Sequence, residues 1–277
     1  MPSRALVLTY HSANVNGRDY ANNDHLALAA DLRTIAASGW RFATLDQVLA
    51  QVLEAPDEGA DTCLVALTCD DGLTLDAEDF DHPAHGPQRS FTGILADFCA
   101  TLPPAAPCGR PHLSSFVIAS PDARAQFDRK DFLSLNLWHD HWWPLAQASG
   151  LMDIESHSWD HNHPSIDPTV QKANQRGDFF CIDTAEECAA EIAQASHYIA
   201  RRTGRTPRHF AYPWGQASDY LRRTWLPQHG PALGLRAAWS CEPRAVTRSD
   251  ERWFLPRFVC GQDWRAPAEL EALLARS

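Results

Sequence analysis

The chain has 277 residues, 44% of them hydrophobic and 21% charged, which is typical of a globular protein and compatible with a single α/β barrel. The formal net charge of −11 argues against a nucleic acid or an anionic membrane as a partner and fits a neutral or cationic ligand better. No apolar stretch approaches the ~20 residues of a membrane span, and no signal peptide precedes the first apolar run, so we expect a cytoplasmic protein unless a leader was removed.

The beginning of the chain alternates between strand and helix patterns. A short apolar run at residues 5–9 predicts a buried strand that delivers His11 just beyond its end. Apolar residues at helical spacing predict a helix over 24–38. Residues 40–43 are typical of a short strand, and a capping box then opens a helix that ends near Leu53.

The next apolar run, residues 64–69, ends abruptly in Asp70, Asp71 and Gly72. A strand points successive side chains to opposite faces, but glycine lets the backbone turn, so that both carboxylates can face one cavity. Two neighbouring anions repel each other unless a cation or hydrogen-bond donors separate their roles. An isolated Asp-Asp-Gly is more often a surface turn, so the functional interpretation depends on a second motif further along the chain.

Two segments between these motifs are rich in histidine or tryptophan. Residues 73–88 predict a long loop over a site, in which His82 and His85 are expected to be solvated rather than bound to substrate or metal. A helix over 89–102 and a strand over 112–119 follow. The segment 138–143, which contains His139, His141, Trp142 and Trp143, suggests a carbohydrate-stacking or second metal patch, although packing of a loop onto a barrel is the favoured interpretation.

The second motif follows a strand predicted over residues 151–156. His157 and His161 are four residues apart, so that one helical turn would place both imidazoles on the same side. Two imidazoles and one carboxylate leave open positions on a divalent metal, as catalytic zinc and iron sites require. Together with the Asp-Asp-Gly strand, this spacing predicts a metal centre.

The last third of the chain continues the alternation. Helices are predicted over 184–202, 216–226 and 267–276, and strands over 208–212, 235–240 and 254–259. Strands that alternate with helices predict a parallel sheet wrapped by helices, and motifs that follow strands favour a barrel, whose sites lie at the C-terminal strand ends. We expect one domain spanning 1–277. The eight cysteines include no Cys-x-x-Cys pair and are expected to be free and buried.

Three motifs together resemble the polysaccharide deacetylase family (carbohydrate esterase family four, the NodB-homology fold). Thr68–Gly72 is similar to its Thr-Phe-Asp-Asp-Gly motif, 157–161 to its His-Ser/Thr-x-x-His motif, and 208–215 to its Arg-x-Phe-Arg-x-Pro-Tyr/Trp-Gly motif. The resemblance runs in the right order through most of the chain and implies a distorted (β/α)7 barrel.

The resemblance also implies roles for individual residues. It assigns Asp71, His157 and His161 as ligands of one divalent metal, most simply Zn2+ with Co2+ or Ni2+ as alternatives, and Asp70 as general base. The metal would polarise an amide carbonyl and acidify a bound water. Trp214, through its backbone N–H, and Tyr212 are assigned to oxyanion and substrate binding. The implied activity is removal of N-acetyl or O-acetyl groups from an amino-sugar-containing carbohydrate.

The chain departs from the family pattern at two places. Ala211 stands where the family has a second arginine, and Leu255-Pro256-Arg257 stands where it has Leu-x-His with the general acid. The chain resembles a circularly permuted branch, in which the acid-bearing strand is at the front of the domain. On that basis we assign His11 as general acid and Arg257 as the partner of Asp70. The alternatives are a structural histidine and a surface salt bridge.

Two other functions fit the same residues. One is a metal-dependent hydrolase of a small non-sugar amide or ureide, which a cytoplasmic location would favour. The other is a non-catalytic sugar-binding barrel, against which the complete set of base and ligands argues. Tryptophan-rich loops favour a carbohydrate substrate. The sugar and the oligomeric state do not follow from the sequence.

Overall fold

A computed structural model describes residues 4–55, 62–132, 134–169 and 176–276. Within these ranges the strands are Arg4–Tyr10 (β1), Arg41–Phe42 (β2), Cys63–Cys69 (β3), Phe80–His82 (β4), Gly86–Gln88 (β5), Leu113–Val117 (β6), Met152–Ser156 (β7), His209–Ala211 (β8), Ala237–Trp239 (β9) and Phe258–Val259 (β10). All except β4 and β5 belong to one sheet.

The connections between strands are mainly helical. The α-helices of the described residues are Asp24–Ala37 (α1), Leu45–Val48 (α2), Phe91–Thr101 (α3), Pro121–Asp131 (α4), Trp143–Ala148 (α5), Ala185–Cys188 (α6), Gln194–Thr203 (α7), Leu226–His229 (α8) and Pro267–Arg276 (α9). Wider π-type turns extend α2, join α6 to α7 and precede α8: Leu49–Leu53, Ala189–Ala193 and Leu221–Trp225. Short 3-10 turns lie at Tyr20–Asn22, Thr74–Asp76, Pro213–Gly215 and Pro231–Leu233.

The main sheet is parallel and curls into a barrel-like shape. Its strand order is β10-β1-β3-β6-β7-β8-β9, with β2 beside β3. The two ends of this path are linked, because Leu255 bridges to Trp239 of β9 and Phe258 pairs with Leu8 of β1. The prediction of a parallel α/β barrel is therefore confirmed, and the seven strands along the main path fit the distorted (β/α)7 barrel that the sequence resemblance implies.

Most residues of the sheet's strands are buried on both faces, as is typical of parallel sheets, whereas Arg41 of β2 is exposed. Alternate residues of β1 pack into different apolar clusters, since Leu6 and Leu8 meet the outer helices whereas Ala5 and Val7 fill the barrel interior. β3 repeats the alternation along residues 64–69. Successive side chains of a strand point to opposite faces, and because both faces of these strands are covered, the runs are apolar throughout.

The register of the sheet brings the ends of its strands together. β1 and β3 pair residue for residue up to Tyr10 and Cys69, so that His11 and Asp70 follow at neighbouring positions. The same edge of the sheet receives the ends of β6, β7, β8 and β10. Side chains from distant parts of the sequence therefore meet at one rim.

Three expectations from the sequence need correction. Trp142 and Trp143 are 1% and 0% exposed and pack in the core around α5, so for these two residues the packing interpretation is correct and the carbohydrate-stacking one is wrong. Residues 73–88 are not simply a loop, because they contain a 3-10 turn and the antiparallel hairpin β4–β5. Helix α4 was missed, although Ser120 caps it and Pro121 occupies its first turn, both common start signals.

The remaining broad expectations concern cysteines and membrane spans. All eight cysteines are free thiols, and most are buried. No helix in the described ranges is both long and apolar enough to cross a bilayer.

Gly72 provides a test of the turn that follows β3. Its φ is +77°, and an added Cβ would lie only 2.8 Å from the Cα of Val117. We expect Gly72→Ala to lower the free energy of unfolding by about 1–2 kcal/mol for the left-handed backbone and by about 1–3 kcal/mol more for overpacking. Urea denaturation measures the difference.

Gly204→Ala is the matched control, because Gly204 has a φ of +76° with no atom within 4 Å of an added Cβ. It should show only the smaller, conformational loss. Equal losses in the two variants would mean that the Val117 contact does not constrain the turn.

Candidate active site

A cavity of about 610 Å³ lies at the rim where the strands end. Predicted site residues that line it are His11, Asp70, Asp71, His157, His161 and Trp214. The structure thus brings together residues from four separate parts of the chain. Tyr212 and Arg257 are not among the lining residues.

The Asp-Asp-Gly motif forms the turn that the sequence suggested. Asp71 and Gly72 both have φ of 77°, which rotates the chain away from the strand direction. As a result Asp70 points into the protein and is 4% exposed, whereas the Asp71 side chain is 25% exposed and faces the histidines. Both carboxylates nevertheless reach the same cavity.

His157 and His161 converge on Asp71, but not through a helical turn. The segment is a loop in which Ser158 and His161 have φ of 72° and 63°. A spacing of four residues therefore brings the rings together by left-handed turns, which the sequence did not indicate. The ring centroids are 4.9 Å apart.

The three side chains fit a divalent metal. The Ala211 carbonyl accepts a hydrogen bond of 2.9 Å at His157 Nδ1, which leaves Nε2 with its lone pair 3.8 Å from Asp71 Oδ1. His161 Nε2 is 4.0 Å from the same oxygen, and all three ligand atoms lie within 4.8 Å of one another. Ligands about 2.1 Å from a shared tetrahedral ion would lie about 3.4 Å apart, so small shifts complete the site.

The charges of the ligands also suit a cation. Burial lowers the pKa of both His157 and His161, so the rings are neutral at pH 7 and available as ligands. Asp71 supplies a negative charge. Among the described residues this is the single cluster of three or more such side chains with metal-ligand spacing.

The loop that carries the histidines is held by two buried carboxylates that sequence reasoning missed. Glu191 accepts hydrogen bonds from the backbone N–H groups of Trp159 and Asp160, at 3.2 and 3.3 Å. Asp160 accepts one from Asn162 N at 2.9 Å and pairs with Arg176 at 3.1 Å. In the sequence, only the position of Asp160 inside the His157–His161 motif pointed to such a role.

A third buried carboxylate, Asp76, lies beneath the rim. Ser12, Ser115 and Cys69 donate hydrogen bonds to it at 2.5, 2.7 and 3.3 Å. Burial raises the pKa of Asp76 to about 6. Asp76 thus connects the C-terminal ends of β1 and β3 with the middle of β6.

His11 lies beside Asp70 because of the strand register. Asp70 N donates to Tyr10 O at 3.1 Å, and His11 N donates to Asp24 Oδ2 at 2.7 Å. Within the described ranges nothing hydrogen-bonds to the buried Nδ1 of His11. The ring lines the cavity, a position that the general-acid assignment requires.

Comparisons with known proteins agree with this geometry. The family model described as polysaccharide deacetylase matches residues 140–229, which include the histidine motif. No curated protein matches the chain by sequence. The solved structures that resemble it include the Streptococcus pyogenes deacetylase PplD in complex with acetate, with 13% identity, 99% of each chain covered and a TM-score of 0.64.

Two further structures have the same fold. IcaB from Ammonifex degensii is 17% identical over 98% of this chain and 97% of its own, with a TM-score of 0.64. A de-N-acetylase from Aggregatibacter actinomycetemcomitans is 14% identical over 97% of this chain and 100% of its own, with a TM-score of 0.61. The resemblance to the polysaccharide deacetylase family is confirmed.

Arg257 occupies the role left open by the departure from the polysaccharide deacetylase motif. It is 0% exposed, and its guanidinium donates to both oxygens of Asp70, at 2.7 and 2.8 Å. Its Nε donates to Ser240 O at 3.0 Å, and its guanidinium carbon lies 5.2 Å from the centroid of the Phe116 ring. The surface salt-bridge alternative is therefore wrong. Ala211, in the same apolar cluster as Phe116, replaces the arginine of the family.

This ion pair sets the charge of Asp70. Burial by itself would raise the pKa of Asp70, but the Arg257 guanidinium outweighs it and holds that pKa well below its ordinary range. Asp70 is therefore a carboxylate at neutral pH. Its contribution to stability is fully present above the unfolded pKa of about 3.9 and is lost as the pH falls through the folded one.

Trp214 lies at the cavity surface, whereas Tyr212 lies in the core. Trp214, with φ of 53°, is 41% exposed, and its ring lies 4.4 Å from His161 and stacks on His163 at 5.7 Å. Tyr212 is fully buried, and its hydroxyl donates to Trp253 O at 2.6 Å. The structure thus corrects the expected substrate contact of the Tyr212 side chain, which packs in the core.

Several cavity residues were not predicted. His163, Phe127 and Trp138 form an aromatic wall, in which Phe127 stacks on Trp138 with centroids 5.1 Å apart. Trp138 belongs to the segment 138–143, for which carbohydrate stacking was one interpretation of the sequence. His82, His85, His139 and His141 do not line the cavity.

Arg257→Met tests how the ion pair controls Asp70. Without the guanidinium, burial dominates and the pKa of Asp70 should rise, so the acidic limb of the kcat/KM profile should move to higher pH. Removing one partner of a buried pair should also cost about 3–5 kcal/mol of stability. The measurements are a pH–rate profile and a urea denaturation curve at pH 7.

Arg124→Met is the matched control. Arg124 is also buried and pairs with Asp140 at 2.9 Å, outside the cavity. It should lose stability but keep the acidic limb in place. A limb that does not move in Arg257→Met would contradict the assigned coupling.

Proposed function

We propose that the protein is a metal-dependent hydrolase that removes N-acetyl groups, or O-acetyl groups, from an amino-sugar-containing carbohydrate. One observation carries the proposal: the cluster Asp71, His157 and His161 shares a cavity with a second carboxylate, Asp70, that is fixed by Arg257. The likeness to a deacetylase in complex with acetate and to a de-N-acetylase supports the reaction type.

The proposed metal is zinc, with cobalt or nickel as alternatives, held by Asp71, His157 and His161. Borderline-soft ions of this kind accept imidazole and carboxylate ligands and leave open positions when the protein supplies three. When bound, the ion would polarise the acetyl carbonyl and lower the pKa of a water.

Asp70 is proposed to accept the proton of the attacking water. Its two oxygens are oriented by the bidentate Arg257 contact, so that the carboxylate is positioned before the substrate binds. A depressed pKa makes Asp70 a weaker base, and the fixed orientation offsets part of that loss.

His11 is proposed to protonate the leaving amine. It follows β1 at the cavity rim, in register with Asp70, and its ring lines the same cavity. The backbone N–H of Trp214 is proposed to donate to the oxygen that becomes negatively charged.

The cavity favours a sugar over a small amide. Its volume of about 610 Å³ and the aromatic side chains of Phe127, Trp138 and Trp214 suit a pyranose ring, which stacks on aromatic faces. Asp131 adds a further carboxylate, and the described lining residues include no lysine or arginine. Such a lining suits a neutral or cationic glycan.

Metal content gives the first test. The purified protein should contain about one zinc or similar ion per chain, as measured by elemental analysis. His161→Ala should lose most of this metal yet keep its circular dichroism spectrum. His197→Ala, which alters an exposed histidine on α7, should keep the metal. Unchanged metal in His161→Ala would refute the ligand assignment.

The proton-transfer roles give the second test. Asp70→Asn keeps the side-chain shape but accepts no proton, and His11→Ala removes the acid. Each should lower kcat on an N-acetylated oligosaccharide by roughly a hundredfold or more with metal retained. The alkaline limb of the pH profile should flatten in His11→Ala.

Loss of metal from His11→Ala would instead place His11 among the ligands. An unaltered rate would make it a structural histidine.

A further inference from the structure

Trp214 has a backbone conformation that a large side chain rarely adopts. Its φ is 53° and its ψ is 14°, which is the left-handed region that glycine tolerates and tryptophan does not favour. A residue keeps such a conformation only where the surrounding structure holds it. The contacts of Trp214 therefore decide where its backbone N–H, the proposed oxyanion donor, can lie.

The backbone on either side of Trp214 is held by the barrel. Tyr212 N donates to Trp239 O at 3.0 Å, and Gly215 N donates to Tyr212 O at 2.9 Å. A Cβ on Gly215 would lie 2.7 Å from Cys241 N, so this glycine packs directly against the segment that follows β9. None of these contacts involves the indole of Trp214.

The indole of Trp214 instead lies at the cavity surface against two histidine rings. Its centroid is 4.4 Å from that of His161, with the ring planes at 81°, and 5.7 Å from that of His163, with the planes at 29°. Among the described residues no other aromatic ring packs on it. His161 is a proposed metal ligand that meets the indole at an edge, so the stacked face is supplied by His163.

His163 is anchored to helix α4 and does not belong to the metal-ligand cluster. Ser165 N donates to His163 Nδ1 at 3.2 Å, and Ser165 Oγ lies 2.7 Å from the same nitrogen and 3.2 Å from Asp131 Oδ2 at the end of α4. The Phe127 ring of α4 packs against His163 at 75° with centroids 5.2 Å apart, and Arg176 Nε donates to His163 O at 3.3 Å. The ring that supports the indole is therefore fixed before any substrate binds.

We propose that His163 is a positioning residue for amide hydrolysis, because its ring supports the Trp214 indole and so keeps the Trp214 backbone N–H where the oxyanion forms. The inference rests on the proposed function, in which that N–H is the oxyanion donor, and adds a residue that acts through Trp214. Such a donor is effective only when it is held in place beforehand. Loss of the support should lower kcat and leave KM nearly unchanged, because the affected interaction is made in the transition state.

Three substitutions at His163 separate stacking from hydrogen bonding. His163→Ala removes the ring and should lower kcat on an N-acetylated oligosaccharide by about tenfold to a hundredfold, up to the scale of losing one oxyanion donor, with metal retained. His163→Phe keeps an aromatic face and should restore most of the wild-type kcat. His163→Asn keeps polar atoms without the ring and should resemble His163→Ala.

His229→Ala is the matched control. His229 is an exposed histidine whose ring packs on Trp225 with centroids 5.1 Å apart, and neither residue lines the cavity. This variant should keep the wild-type kcat. A wild-type kcat in His163→Ala would overturn the inference. So would recovery by His163→Asn but not by His163→Phe, since a hydrogen bond would then be what the reaction needs.

A double-mutant cycle tests whether His163 acts through Trp214. Trp214→Ala has no indole to support, so adding His163→Ala to it should lower kcat by less than about twofold further. Losses that multiply would show that His163 acts independently of Trp214 and would contradict the proposal.

Fluorine NMR of protein labelled with fluorotryptophan observes the indole without turnover. The Trp214 signal is identified by its loss in Trp214→Phe. It should shift and broaden in His163→Ala, because the unsupported ring samples several orientations, and stay narrow in His163→Phe and His229→Ala. An unchanged signal in His163→Ala would overturn the inference. The expected NMR changes in a wild-type background that releases no acetate would instead overturn the proposed function.

Discussion

The buried ion pair between Asp70 and Arg257 connects the barrel to its reacting centre. Asp70 and Arg257 are 4% and 0% exposed, and burying two charges costs free energy unless each charge is fully paired. Here both carboxylate oxygens of Asp70 accept a guanidinium N–H. Arg257 stands directly before β10, which pairs with β1, and two residues after Leu255, which bridges to β9. The contact that orients Asp70 therefore also holds the segment that links the two ends of the sheet.

A second set of buried carboxylates supports the rest of the rim. Asp76 connects three strands, and Glu191 and Asp160 hold the left-handed loop that presents His157 and His161. Acidic side chains are rarely buried unless paired or hydrogen-bonded, so their concentration here indicates where backbone geometry is most constrained.

Most of the fold and the central site residues could be predicted, because parallel strands are marked by short apolar runs and their ends by polar motifs. The geometry of loops and of contacts between distant residues was harder to predict from the sequence. The spacing of His157 and His161 fits a helix and a loop equally well, and only backbone dihedrals distinguish them. Tryptophan identity did not reveal that Trp142 is buried whereas Trp138 lines the cavity. The candidate active-site cavity brings together residues as distant in the sequence as His11 and Gln262, a proximity that no local sequence pattern can predict.

The central claim is that amide hydrolysis occurs at the Asp71–His157–His161 centre. Titration of metal-depleted protein with zinc, followed by acetate release from an N-acetylated oligosaccharide, tests it most directly. The account predicts release that rises with added zinc and saturates at about one equivalent per chain. Release that is independent of added metal, or absent at every loading of a folded protein, would contradict it.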